Sequence, residues 1–141
     1  MKEGLIEKKE ASDNIIEKWS IGIYKGDSPF KLKPIEGISY PMISRNDVSD
    51  IKAHFVADPF MIKKDKLFYL FFEVLNDNNL GEIALSTSKD GIEWTYEKIV
   101  LSEEFHLSYP NIFEWENEYY MTPETLHPKN VRLYKAKKFP Y

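Results

Sequence analysis

The stretch Ala57-Asp58-Pro59, running into Phe68-Tyr69-Leu70-Phe71-Phe72-Glu73, is answered by Ser108-Tyr109-Pro110, running into Tyr119-Tyr120-Met121-Thr122-Pro123-Glu124. Pro59 pairs with Pro110, Tyr69 with Tyr120 and Glu73 with Glu124 at one constant offset, without a gap. Two copies of one strand-rich unit at a period of about fifty residues point to the blades of a β-propeller. The predicted fold is therefore all-β: a partial β-propeller of about two four-stranded blades plus an N-terminal strand, and the resemblance given below implies that the full ring is five-bladed.

Working outward from the repeat, blade one is expected over about residues 53–101 and blade two over about 105–141. In the first copy, Phe55 to Lys63 reads as a strand and Lys64-Asp65-Lys66 as a hairpin turn. Leu67 to Val74 is a nearly continuous apolar run, as a strand buried on both faces requires. Gly81 to Ser88 and Trp94 to Leu101 supply the third and fourth strands. The second copy repeats the plan with Tyr109–Trp115, a turn at Glu116-Asn117, Glu118–Pro123 and Val131–Ala136. Upstream, Trp19 to Tyr24 alternates like a strand that is expected to lack a partner, and Pro41 to Ser44 reads as a short strand. Residues 1–18, dense in Lys and Glu, read as a disordered or weakly helical lead-in, leaving 19–141 as one incomplete propeller domain. A ring of five blades needs roughly 250 residues at this period, so the 141 residues look like an N-terminal fragment.

Composition narrows the function classes. The chain is 43% hydrophobic and 15% aromatic, ample for a core, and its net charge of −4 is spread over interspersed acids and bases. No strong positive field attracts nucleic acid. Cysteine is absent, which excludes disulfides and thiolate chemistry. The start Met1-Lys2-Glu3-Gly4 is charged, and no run reaches membrane-spanning length, so a cytoplasmic protein without membrane insertion is expected. No metal site or cofactor motif is evident in the residue spacing.

The residues that could carry chemistry cluster at equivalent places of the two copies. Asp58 opens an inner strand, where propellers point toward their central axis, although Asp before Pro also caps turns. Glu73 and Glu124 each end an apolar strand, and a carboxylate there is costly unless paired. Paired carboxylates are what glycoside chemistry uses, and equally what a blade uses to satisfy its own backbone. His54, His106, Tyr109 and Asn111 flank the same strand starts and suit a sugar-binding mouth. Ser88-Lys89-Asp90-Gly91-Ile92-Glu93-Trp94 reads as a structural turn, with Ser bonding across it and Trp packed beneath.

Taken together, these segments resemble the five-bladed propeller superfamily of glycoside hydrolase families 43, 32 and 68. More narrowly, they resemble the propeller domain at the N-terminus of glucosamine inositolphosphorylceramide transferase and its bacterial relatives. The resemblance implies a base-like or nucleophile-like role for Asp58. It places Asn111 where family 43 has a second Asp, which removes the negative charge that keeps a general acid protonated. Glu124 stands as a catalytic candidate from the repeat of carboxylates alone, since the family's general acid comes from a third blade and Glu124 belongs to the second. The implied function is a carbohydrate-active domain, glycosidase-like or glycosyltransferase-associated, that acts on or binds a glycan without a complete catalytic set of its own. The alternatives are a non-catalytic sugar-binding or scaffolding module of a transferase, or a truncated fragment without function. Implied partners are a sugar or glycan and further blades or a transferase domain.

Overall fold

A computed structural model describes residues 19–125 and 128–141; the expected lead-in over 1–18 lies outside them. The fold is all-β and antiparallel. Strands β1 (Tyr24–Lys25) and β2 (Lys33–Pro34) form a small hairpin. Strands β3 (Ala53–Lys64), β4 (Leu67–Asn76), β5 (Gly81–Ser88) and β6 (Thr95–Leu101) follow as a four-stranded sheet in chain order. Strands β7 (Ser108–Trp115), β8 (Glu118–Glu124) and β9 (Tyr134–Lys135) make a three-stranded sheet, again in chain order. Two up-and-down sheets of this kind are consistent with a partial propeller.

The repeat is written into the backbone. Asp65 and Lys66, and their counterparts Glu116 and Asn117, all have positive φ, between 48° and 66°. This is the two-residue hairpin geometry whose twist matches the flanking strands. The ladder β3–β4 shifts register between Ala57 and Phe60, and β7–β8 shifts between Ser108 and Asn111. Inside these bulges Asp58 and Tyr109 adopt φ of 50° and 51°. The following Pro59 and Pro110 lack the N–H that a regular ladder would demand.

Alternation along β4 divides the core in two. Leu70, Phe72 and Val74 face one side, where they meet Val56, Ala84, Ile21 and Ile43. Phe71 faces the other, against Ile83, Leu85, Leu107 and Met121, so the second sheet covers the first. The apolar run is thus buried on both faces, as its sequence predicted. The Ser88 turn also forms as expected: Ser88 Oγ accepts from Gly91 N at 2.8 Å, Asp90 Oδ1 accepts from Ile92 N and Glu93 N, and Trp94 Nε1 donates to Gly91 O.

Two segments differ from expectation. Trp19 to Tyr24 is not a continuous strand without a partner; Ile21 forms a bridge with Ile43, donating to its carbonyl at 2.8 Å. The Pro41–Ser44 segment is that partner. Gly22 lets the chain pass beneath the Tyr40 ring, where a Cβ would sit 3.0 Å from the ring. In the second sheet the third strand shrinks to Tyr134–Lys135, while Val131 and Leu133 stay exposed. Pro123, without an N–H, stands where that ladder would have to extend.

Ile21 and Ile43 are each only 2% exposed and close one face of the first sheet. Ile21→Ala is therefore expected to cost about 3 kcal/mol, read as a shift of the urea midpoint. A variant as stable as the parent would show that this segment is not part of the cooperative unit.

Candidate functional site

The buried end of β4 decides the geometry of the site. Glu73 shares its face with Phe71 and Tyr69, so it points into the seam between the two sheets. It is 5% exposed. An ionised carboxylate in such a seam costs several kcal/mol of desolvation unless its oxygens are satisfied. His106, just before β7, places Nε2 3.1 Å from Glu73 Oε1. The opposite ring nitrogen, Nδ1, accepts from Gly81 N at 3.0 Å. Because Nδ1 is an acceptor, the ring proton sits on Nε2 and donates to Glu73.

Asp58 supplies the other contact. The bulge brings its side chain beside Glu73 in the same lining, close enough for its charge and hydrogen bonding to act on the Glu73 carboxyl. Burial first, then the charge and hydrogen bond of Asp58, then the charge of Glu124, raise the Glu73 pKa to about 7. Below about pH 7 Glu73 therefore holds a proton and can donate it in a hydrogen bond toward Asp58.

This pair lies at the wall of a cleft of about 760 Å³, lined by Trp19 to Gly22, Phe55, Ala57, Pro59, Phe60 and Tyr109 as well. Tyr109 projects from the second bulge and packs edge-on against Phe60, ring centroids 4.7 Å apart. The two equivalent bulges thus meet to form one rim.

The structure brings Asp58, Glu73, His106 and Tyr109 together. The other candidates lie outside the cleft lining, although Glu124 is near enough for its charge to act on Glu73. Glu124 is exposed, accepts from Ser108 Oγ at 3.3 Å and borders a different cavity with Lys129 and Asn130. Asn111 is exposed and reaches Thr122 Oγ1 at 3.4 Å. His54 pairs with Asp77 at 3.1 Å, in the turn after β4, where Lys52 also binds. None of these three lines the cleft. Among the described residues, no group of three His, Asp or Glu is arranged to hold a metal ion.

Sequence reasoning missed Gly81. Its backbone both donates to His106 and accepts from Leu107 N at 2.9 Å. A Cβ at this position would run into the Leu107 carbonyl and approach Glu73 Oε1 to 2.8 Å. A glycine opening a strand was the one available signal, and glycine in a strand marks such close approach. Phe60 and Trp19, also in the cleft, carried no signal beyond their aromatic character.

Residues 11–141 match the family model described as glucosamine inositolphosphorylceramide transferase 1, N-terminal. The chain belongs to that family. Proteins named glucosamine inositolphosphorylceramide transferase 1 from rice, in both the indica and japonica subspecies, are 38% identical to it over 138 residues, and the Arabidopsis thaliana protein of that name is 37% identical. Each match covers 86% of this chain and 18% of the relative. The chain thus spans less than a fifth of the length of the curated relatives it matches. It is a carbohydrate-related domain of a transferase-associated family. No helix among the described residues is long and apolar enough to cross a membrane.

Two outcomes test the site. Gly81→Ala is expected to lower stability by about 2–4 kcal/mol and to shift the His106 ring resonances, because the Leu107 carbonyl and the His106 ring must both move. Undisturbed His106 signals would refute the clamp. For Glu73, the folded pKa lies above the unfolded 4.5, so the native state holds the extra proton. Stability from this group is highest below about 4.5 and falls as pH rises through about 7. Glu73→Gln, which can still donate to Asp58 and accept from His106, should remove that slope; identical pH profiles of the two proteins would contradict the buried, protonated carboxyl.

Proposed function

We propose that this chain is a sugar-binding domain of a glycosyltransferase-associated protein, with its two sheets serving as blades of a larger propeller and its cleft taking a sugar unit of a glycan or sugar-containing precursor. The observation that carries the reading is the Asp58–Glu73 pair at the wall of the aromatic cleft. Aromatic faces bind the C–H surfaces of sugars, and carboxylates accept from their hydroxyls. The sugar chemistry in the name of the rice and Arabidopsis relatives supports the same class of ligand.

The pair favours binding over stand-alone hydrolysis. A glycosidase holds its two carboxyls about 5–9.5 Å apart so that the sugar, or sugar and water, fits between them. Asp58 and Glu73 instead lie beside each other in one wall of the cleft and interact directly. Asp58 keeps the base-like position, with Glu73 and His106 as its support; any acid partner for a transfer or hydrolysis step has to come from outside this pair. Glu124, turned to another cavity, does not serve as that partner in this reading.

Binding to a glycan array tests the proposal. Saturable binding by the parent is expected to fall at least tenfold in Asp58→Asn and in Tyr109→Asn. Asn tolerates the positive φ at both bulges, so both variants should keep the fold. Binding unchanged in both variants would remove the cleft as the sugar site.

A further inference from the structure

A second cavity, of about 350 Å³, lies between the two sheets, where Phe71, Val100 and Leu101 of the first face Ile112, Met121 and Tyr134 of the second. It shares no residue with the cleft beside Asp58. Its volume falls at the lower end of small-molecule sites. The turn Lys138–Tyr141 closes one side: Lys138 N donates to Tyr141 O at 3.0 Å, and Tyr141 N donates to Lys138 O at 2.7 Å. That turn sets the Phe139 ring centroid 4.0 Å from Tyr119 and 4.7 Å from Tyr69. The aromatic wall is thus in place before any ligand arrives, which lowers the ordering cost of binding.

The polar groups around this cavity are sorted by sign. Tyr119 Oη donates to Glu114 at 2.9 Å and Tyr134 Oη donates to Glu103 at 2.8 Å, so both phenols give their polar tips to acids outside the lining and leave ring surface to the cavity. Among the described residues no Asp or Glu lines it, whereas Lys135 and Lys137 do. Two more ammonium groups rest on its aromatic wall. Lys64 Nζ lies 4.5 Å from the Tyr119 ring centroid and 5.1 Å from that of Phe139, and Lys98 Nζ lies 4.0 Å from that of Tyr141. Lys135 is paired with Glu118. Among the described residues, Lys64, Lys98 and Lys137 have no carboxylate within ion-pair distance. Lys64 is half-buried as well, so its charge is held by ring faces alone.

We propose that this cavity is a second binding site, separate from the sugar cleft, for a small aromatic carboxylate of one or two fused rings. The ring enters among Phe71, Met121 and Phe139, and the carboxylate stays at the rim, where Lys64 receives it in a charge-assisted hydrogen bond. Charge complementarity selects the head, because the border carries cations without acids. Wall geometry selects the body. Rings of Tyr119, Tyr134, Phe139 and Tyr141 offer faces and edges that favour offset or edge-on contact with another ring, a gain that an unbranched alkyl chain does not make.

The test titrates the chain with 2-naphthoate, with 2-naphthamide as its neutral counterpart and with decanoate as an anion without rings, by calorimetry and NMR. Naphthoate is expected to bind with a Kd below about 1 mM and roughly tenfold or more tightly than the other two. Nuclear Overhauser contacts should join its ring protons to the Met121 and Ile112 methyl groups. Lys64→Met keeps an apolar stem over the rings, and should lower naphthoate affinity about tenfold while leaving naphthamide affinity unchanged. Equal affinity for naphthoate and naphthamide would overturn the selection of an anion, and decanoate binding as tightly as naphthoate would overturn the selection of a ring. Saturation without contacts to Met121 and Ile112, or no binding of naphthoate, would remove the site itself. Should Lys64→Met fail to fold, the three ligands and the contacts in the parent protein still decide the matter.

Discussion

A carboxyl group buried between two sheets is the constraint on which the rest of the site depends. Glu73 sits where the first sheet meets the second, and neither sheet alone can satisfy it. The first supplies Asp58 from a bulge and Gly81 from the next strand; the chain entering the second supplies His106. Packing of the sheets, with Phe71 against Leu107 and Met121, brings these groups within reach. The polar contacts in turn fix the approach of the sheets, since Gly81 is bonded to both His106 and Leu107. Seam and site are a single arrangement, and loosening one loosens the other.

That arrangement also separates two acids that look alike in sequence. Glu73 and Glu124 occupy the same place in successive copies. One is covered by a neighbouring sheet and holds a proton below about pH 7; the other is exposed and rests on Ser108. Environment, not residue type or position in the repeat, assigns their chemistry.

How much was legible in the sequence follows from the range of each interaction. Features set by a few consecutive residues were readable: the Asp65-Lys66 and Glu116-Asn117 turns, the doubly buried β4, the Ser88–Trp94 turn and the offset between copies. Asp58, Glu73, His106 and Tyr109 were found as candidates because they mark equivalent strand starts and ends. What could not be read depended on distant parts of the chain meeting. The Ile21–Ile43 bridge needs a loop to return, the role of Gly81 needs Leu107 beside it, and the departure of His54 and Glu124 from the cleft is decided by Asp77 and Ser108. Asn111, placed by resemblance opposite a family carboxylate, turns out to lean on Thr122 across its own hairpin.

The paired bulges have one more implication. Each is flanked by paired residues on both sides, a single pair before the second bulge, and is followed by a proline, so its left-handed backbone is set by the strand around it. What differs is the side chain presented at that point: an acid in the first copy, a phenol in the second. The bulge works as an interchangeable socket, in which a duplicated unit can exchange its chemical head while the scaffold keeps its register. Ligand preference in such an array is free to diverge one socket at a time, without reopening the question of how the sheets fold.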